Sequence, residues 1–180
     1  MFFSALVLAL VLVAPGQAQF SDTWEFFNAV EDVDYLEMRT RLTRGANINS
    51  HNEDGLSAVI IASDMSNSEL LQFLLDHGAN INGVEESRNE TALMRRTEVG
   101  DVAFLRVLIG LGADVNLQDR GGQTALMKAA RYRNARAAQL LIESNANLDT
   151  SDYTGQTALD HARQARARQV EKALIKAGAR

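Results

Sequence analysis

The chain has 180 residues, enough for one domain-sized core, with 46% hydrophobic and 23% charged residues and a formal net charge of −5. It has no cysteine, which excludes a disulfide framework and a thiolate zinc site, and its three histidines, His51, His77 and His161, are scattered. The acidic total speaks against a nucleic-acid partner, although Arg120, Arg131, Arg133 and Arg136 with Tyr132 would suit phosphate contacts.

Residues 1–18 differ in kind from the rest. Phe2 to Val13 is almost continuously apolar, Pro15 breaks the run, and Gly16-Gln17-Ala18 places small residues where a signal peptidase cuts. The run is too short for the ~30 Å hydrocarbon core of a bilayer, which takes about 20 residues. A signal peptide cleaved after Ala18 is therefore expected, although no Lys or Arg precedes the apolar run. The mature chain, 19–180, would then have no stable membrane insertion. No cysteine follows the run, so no lipoprotein anchor is available. Export without cysteine suits a bacterial periplasm or the cell exterior.

In residues 20–49, Trp24, Phe26, Phe27, Ala29 and Val30 mark a first helix, with Ser21 or Asp22 as its expected N-cap. Tyr35, Leu36, Met38 and Leu42 recur at helical spacing. Arg41 stands where later segments carry Leu74, Leu108 and Leu141, as suits an end unit with one unpartnered face. Residues 50–82 predict helices over Ser57–Ser63 and Glu69–His77, the second presenting Leu70, Leu71, Phe73, Leu74 and Leu75 inward and stopped by Gly78. Residues 83–116 carry one extra residue within Gly83–Arg88, and Asn89 stands in for a turn glycine. Arg96 replaces the small residue found at Ala62, Ala129 and Ala162. Residues 117–149 are the most regular, with Asn145 at the helix stop, and 150–180 turn basic through Arg163, Arg166, Arg168, Lys172 and Lys176.

These segments are in phase. Thr124-Ala125-Leu126 is echoed at Ser57-Ala58-Val59, Thr91-Ala92-Leu93 and Thr157-Ala158-Leu159, at spacings of 33 or 34 residues. The phrase Asn145-Ala146-Asn147-Leu148-Asp149 is echoed at Gly45-Ala46-Asn47-Ile48-Asn49, Gly78-Ala79-Asn80-Ile81-Asn82 and Gly112-Ala113-Asp114-Val115-Asn116, and Gly178-Ala179 closes the series. A fixed period of this size predicts a solenoid, because each unit must stack on a neighbour to bury its apolar face.

Laid over residues 24–180, the pattern resembles the ankyrin repeat family. The resemblance implies an all-α solenoid of about five helix-turn-helix repeats joined by short β-hairpin loops. The family's Pro is replaced by Ala58, Ala92, Ala125 and Ala158, and its His by Ile60, Met94, Met127 and Asp160. That His usually ties neighbouring repeats together, so apolar packing should carry more of the load here.

No catalytic constellation stands out. Asp160-His161 is adjacent on a helix, so the two side chains point about 100° apart, and a helix-start Asp beside a semi-exposed His is expected. Glu85-Glu86 and Glu31-Asp32-Val33-Asp34 lack the alternating oxygens and glycine of a calcium loop. No catalytic residue, metal or cofactor is expected, and a non-enzymatic protein-binding module is.

Charge is unevenly placed: Ser21–Glu90 carries 14 acidic and 4 basic residues, Thr91–Arg180 carries 9 and 14. On a linear solenoid this becomes an acidic front and a basic rear that can orient a partner. The resemblance implies that hairpin tips and first helices line a concave binding face. Position by position, that face would comprise Glu53, Asp54, Leu56, Asp64, Met65, Arg88, Glu90, Glu98, Arg120, Gln123, Arg131, Tyr132, Tyr153 and Gln156, with Ser87, Val99 and Gln164 among them and Arg96 beside them. Met65, Arg131, Tyr132 and Tyr153 are its expected anchors. The resemblance also points to small exported bacterial members, some associated with protecting a partner such as a periplasmic catalase. The alternative is a secreted effector or toxin-antagonist that binds a foreign protein. The chain is expected to be monomeric, and its basic last segment could also meet anionic lipid head groups.

Overall fold

The computed structural model describes residues 15–179. The expected apolar leader from Phe2 to Val13 lies outside the described residues. Among the described residues ten helices follow in order: α1 (Pro15–Glu31), α2 (Tyr35–Thr43), α3 (Ala58–Asp64), α4 (Ser68–Asp76), α5 (Ala92–Val99), α6 (Val102–Gly110), α7 (Ala125–Arg131), α8 (Ala135–Glu143), α9 (Ala158–Gln164) and α10 (Arg168–Ala177). Among the described residues no strand forms, and the hairpins are reduced to single antiparallel bridges, His51–Ser57, Val84–Thr91 and Ser151–Thr157.

The helices start where the sequence supplies caps. Thr91, Thr124 and Thr157 accept from the third helical amide of α5, α7 and α9, and Asp34, Asn67 and Asp101 cap α2, α4 and α6. Most stop at a left-handed turn, and the two asparagines at glycine positions hold that conformation, Asn89 at φ 58° and Asn145 at φ 63°.

Packing places α1, α3, α5, α7 and α9 side by side in one layer, each backed by the helix that follows it. From α3 onward the first helices are short and largely buried, because Ala62, Ala129 and Ala162 let neighbouring helices approach. Leu70, Leu71, Leu74, Leu105, Leu108 and Leu141 fill the space between the layers.

Two hydrogen-bond ladders run across the units. Backbone amides of Glu86, Arg120 and Tyr153 donate to the carbonyls of Gly55, Arg88 and Gly121 at 2.9, 2.9 and 3.1 Å, tying hairpin to hairpin. On the far side, Asn49, Asn82 and Asn116 accept from the amides of Asn80, Asp114 and Asn147 at 2.7, 2.9 and 2.7 Å. At the front, Thr23 Oγ1 on α1 accepts from Asn47 in the place of a preceding loop.

Several expectations are corrected at this front end. Ser21 and Asp22 do not cap α1, which runs through them, and Asp22 instead binds Arg41 at 3.0 Å. Trp24 and Leu36 are exposed rather than core, Trp24 donating its indole N–H to Glu53 at 3.1 Å. Arg41 is held between Asp22 and Glu37, so it covers the end face as a paired charge. Further along, Phe73 and Leu75 are half-buried, with Phe73 edge-on to Tyr35.

Candidate partner-binding face

The hairpins are organised by one acceptor each. Asn52, Asp119 and Asp152 take the amides two and four residues on, and Glu85 takes those of Ser87 and Arg88. Burial alone would raise the Glu85 carboxyl; the hydrogen bonds from Ser87 and Arg88 hold it below its usual value. From Asn52 to Ser57, Asp119 to Thr124 and Asp152 to Thr157 is five residues, whereas Glu85 to Thr91 is six, so the extra residue sits in the hairpin.

Nine residues past Asp119 and Asp152 a nitrogen-bearing side chain enters the first-helix layer. Lys128 Nζ, almost fully buried, meets Glu90 Oε1 at 2.7 Å, Glu98 Oε1 at 2.9 Å and Asp119 Oδ2 at 2.9 Å. Burial would lower its pKa, but these carboxylates hold it well above the ordinary lysine value. The second Glu90 oxygen is 3.2 Å from Arg88 yet has no hydrogen-bond partner, so that contact is electrostatic only. One unit on, His161 Nε2 donates to Asp152 Oδ2 at 2.8 Å, both groups being buried. Burial works against ionised Asp152, but the Thr154 hydroxyl, the Gln156 amide and His161 hold its carboxyl far below the usual range.

His161 is therefore buried rather than semi-exposed, and it turns to Asp152. Asp160 closes a capping box with Thr157 instead, and the Thr157 amide and hydroxyl lower its pKa. Among the described residues no three His, Asp or Glu side chains gather in a metal-ligating group. No helix among them is long and apolar enough to cross a membrane.

Of the residues expected on the face, Glu53, Asp54, Asp64, Met65, Ser87, Arg88, Val99, Arg120, Arg131, Tyr132, Tyr153 and Gln164 are exposed, and Leu56, Glu98, Gln123 and Gln156 are half-buried. Two expectations fail. Glu90, only 2% exposed, is consumed by Lys128. Arg96, 8% exposed, binds Ser66 at 2.6 Å and Asp101, and lies 5.5 Å over the Phe104 ring. Asp101 is held below its usual pKa chiefly by the Phe104 amide it caps, then, against some burial, by Arg96. Arg96 thus braces two turns.

What the structure brings together is a stripe. Met65, Val99 and Tyr132, spaced by 34 and 33 residues, close the C-terminal ends of α3, α5 and α7 and are 44%, 72% and 46% exposed. Ala165 continues the column. The adjoining column reads Asp64, Glu98, Arg131, Gln164, so the sign of charge reverses along the stripe. All three of these charges are engaged within the molecule: Asp64 pairs with Arg95 at 2.6 Å, Glu98 with Lys128 at 2.9 Å, and Arg131 lies 5.8 Å over the Tyr132 ring. Tyr153 is 76% exposed, yet its ring also covers the turn before it: a Cβ on Gly122 would fall 2.7 Å from the ring, which only glycine avoids.

Sequence reasoning missed the Lys128 cluster and the His161–Asp152 pair. The available signal was the column Ile61, Arg95, Lys128, His161, where a layer that is apolar at its front admits polar side chains.

A two-layered stack of helix pairs, with hairpins tied edge to edge and an exposed stripe in phase with the stack, defines a repeat-type binding scaffold. The family model for ankyrin repeats matches residues 26–119 and 95–180, and the chain belongs to the ankyrin repeat family. It is similar to a putative ankyrin repeat protein of Acanthamoeba polyphaga mimivirus, 32% identical over 94 residues, covering 49% of this chain and 57% of that relative. The chain thus spans little more than half the length of the curated relative it matches.

Proposed function

We propose that this protein is an exported, non-enzymatic module of five repeats that holds a protein partner along the Met65–Val99–Tyr132 stripe. Ankyrin repeats generally mediate protein–protein interaction, and the observation that carries the reading here is that stripe. Three large apolar side chains stay in solvent at one position of successive units, although alanine would serve the fold there as it does at Ala165. Repeated exposure in register offers a continuous contact line, and its flanking charge reversal sets the direction in which a partner lies.

The five units are 20–49, 50–82, 83–116, 117–149 and 150–180. Export rests on the apolar leader and the absence of cysteine. Cleavage after Ala18 would leave Gln19–Glu31 as the remainder of α1, and the processed protein acts as a monomer in the periplasm or outside the cell.

The test is capture of a partner from periplasmic or culture-medium extract by the wild-type chain and by a Val99→Asp, Tyr132→Ala variant. Both positions are exposed, so the variant should fold. A protein held by wild type and released by the variant supports the reading. Equal capture by both would remove the stripe from the interaction.

A further inference from the structure

The rear of the molecule carries a feature that the stripe does not use. Arg133, Arg166 and Arg168 line one cleft of about 520 Å³ together with Ala167, Gln169 and Val170. Arg133 and Arg166 occupy the same turn position in adjacent units, 33 residues apart, and Arg168 opens α10. All three are exposed, and among the described residues none of them meets a carboxylate. The nearest acidic side chain along α10, Glu171, is turned to Arg163 at 3.4 Å.

The backbone makes this placement informative. The turn is left-handed in every unit, at Val33, Ser66, Gly100, Arg133 and Arg166, with φ between 52° and 80°. Such a position favours glycine, and a long side chain held there is strained. Two arginines occupy it in succession, where Ser66 and Gly100 suffice elsewhere. Beside them the N-cap of α10 is Ala167, which brings no side-chain oxygen to the first amides.

We propose that Arg133, Arg166 and Arg168 form a binding site for a phosphate group, borne by a soluble phosphate or by an anionic phospholipid head group. Three arginines lining one cleft, with no acid in that lining, call for a multiply charged oxyanion. A phosphate presents several oxygens to their paired N–H donors, whereas a lone carboxylate would leave most of the positive charge unmatched. This site is independent of the protein-binding reading, because its ligand is read without any protein partner.

The experiment uses the full chain in titration calorimetry with inorganic phosphate and pyrophosphate, and in co-sedimentation with phosphatidylcholine vesicles with and without phosphatidylglycerol. The variants are Arg166→Gly with Arg168→Ala, and Arg106→Ala as a control on the exposed surface of α6. Glycine suits the left-handed turn, so the melting temperature should hold or rise. We expect the double variant to bind at least tenfold more weakly and the control to match wild type. A calorimetric signal assigns the site to soluble phosphate; pelleting with phosphatidylglycerol alone assigns it to lipid. Binding of neither probe, or equal loss in the Arg106→Ala control, would overturn the proposal.

Discussion

Lys128 carries a charge into the buried face of α7, whose other buried residues are alanine, leucine and methionine, and three carboxylates meet it there. Breaking such a cluster leaves buried charge without its partner, which costs far more than an exposed ion pair contributes. Lys128→Met should therefore lower unfolding free energy by about 3–5 kcal/mol in urea titrations. Loss of the exposed Arg163–Glu171 contact by Arg163→Ala should cost about 0–1 kcal/mol. Asp152 gives the matching pH dependence. Its folded pKa is depressed, so the stabilisation is fully present above the unfolded carboxylate value of about 3.9 and is lost as pH falls through the lower folded value. Asp152→Asn should weaken the fold at neutral pH by about 1–3 kcal/mol and flatten the acid limb of a thermal-stability profile.

At the scale of the element, the loop that ends each unit is held both by its own residues and by the next loop. Asn116 accepts from Asn147 at 2.7 Å across the unit boundary. Asn116→Ala removes that acceptor and should cost about 1 kcal/mol, with faster amide exchange at Asn147. Conversely, Asn145→Gly fits the left-handed stop at φ 63° and should be neutral or slightly stabilising, within about 1 kcal/mol by denaturant titration.

Much of this level is legible in the sequence. The 33-residue phase marks the helices, the left-handed stops at Gly78 and Asn145 and the hairpin that holds the extra residue, because each is dictated by local residues. The fates of Glu90 and Arg96 are not legible. Glu90 is buried by a partner 38 residues away, and Arg96 by Ser66 in the preceding unit. Such pairings depend on which side chains face across a boundary, which a single unit's pattern does not contain. The start of α1 is hidden for the same reason, since Asp22 turns to Arg41 and the helix continues past it.

Over the whole molecule, stacking turns one-dimensional periodicity into surfaces. Buried columns make the core, and the exposed column Met65, Val99, Tyr132 makes a contact line beside charges that change sign from Asp64 to Arg131. The net charge difference along the chain, 10 more acidic than basic residues between Ser21 and Glu90 and 5 more basic than acidic from Thr91 on, extends that polarity to the ends. Partner association should accordingly slow as salt is raised, since screening shortens the reach of the field to about 8 Å at physiological ionic strength.

The most direct measurement is site-specific photo-crosslinking, with a photoreactive residue at Val99 on the stripe and, separately, at Ile175 on α10, which is also exposed. The account predicts a partner adduct from position 99 and none from position 175. An adduct from position 175 alone, or equal yields from both, would contradict it.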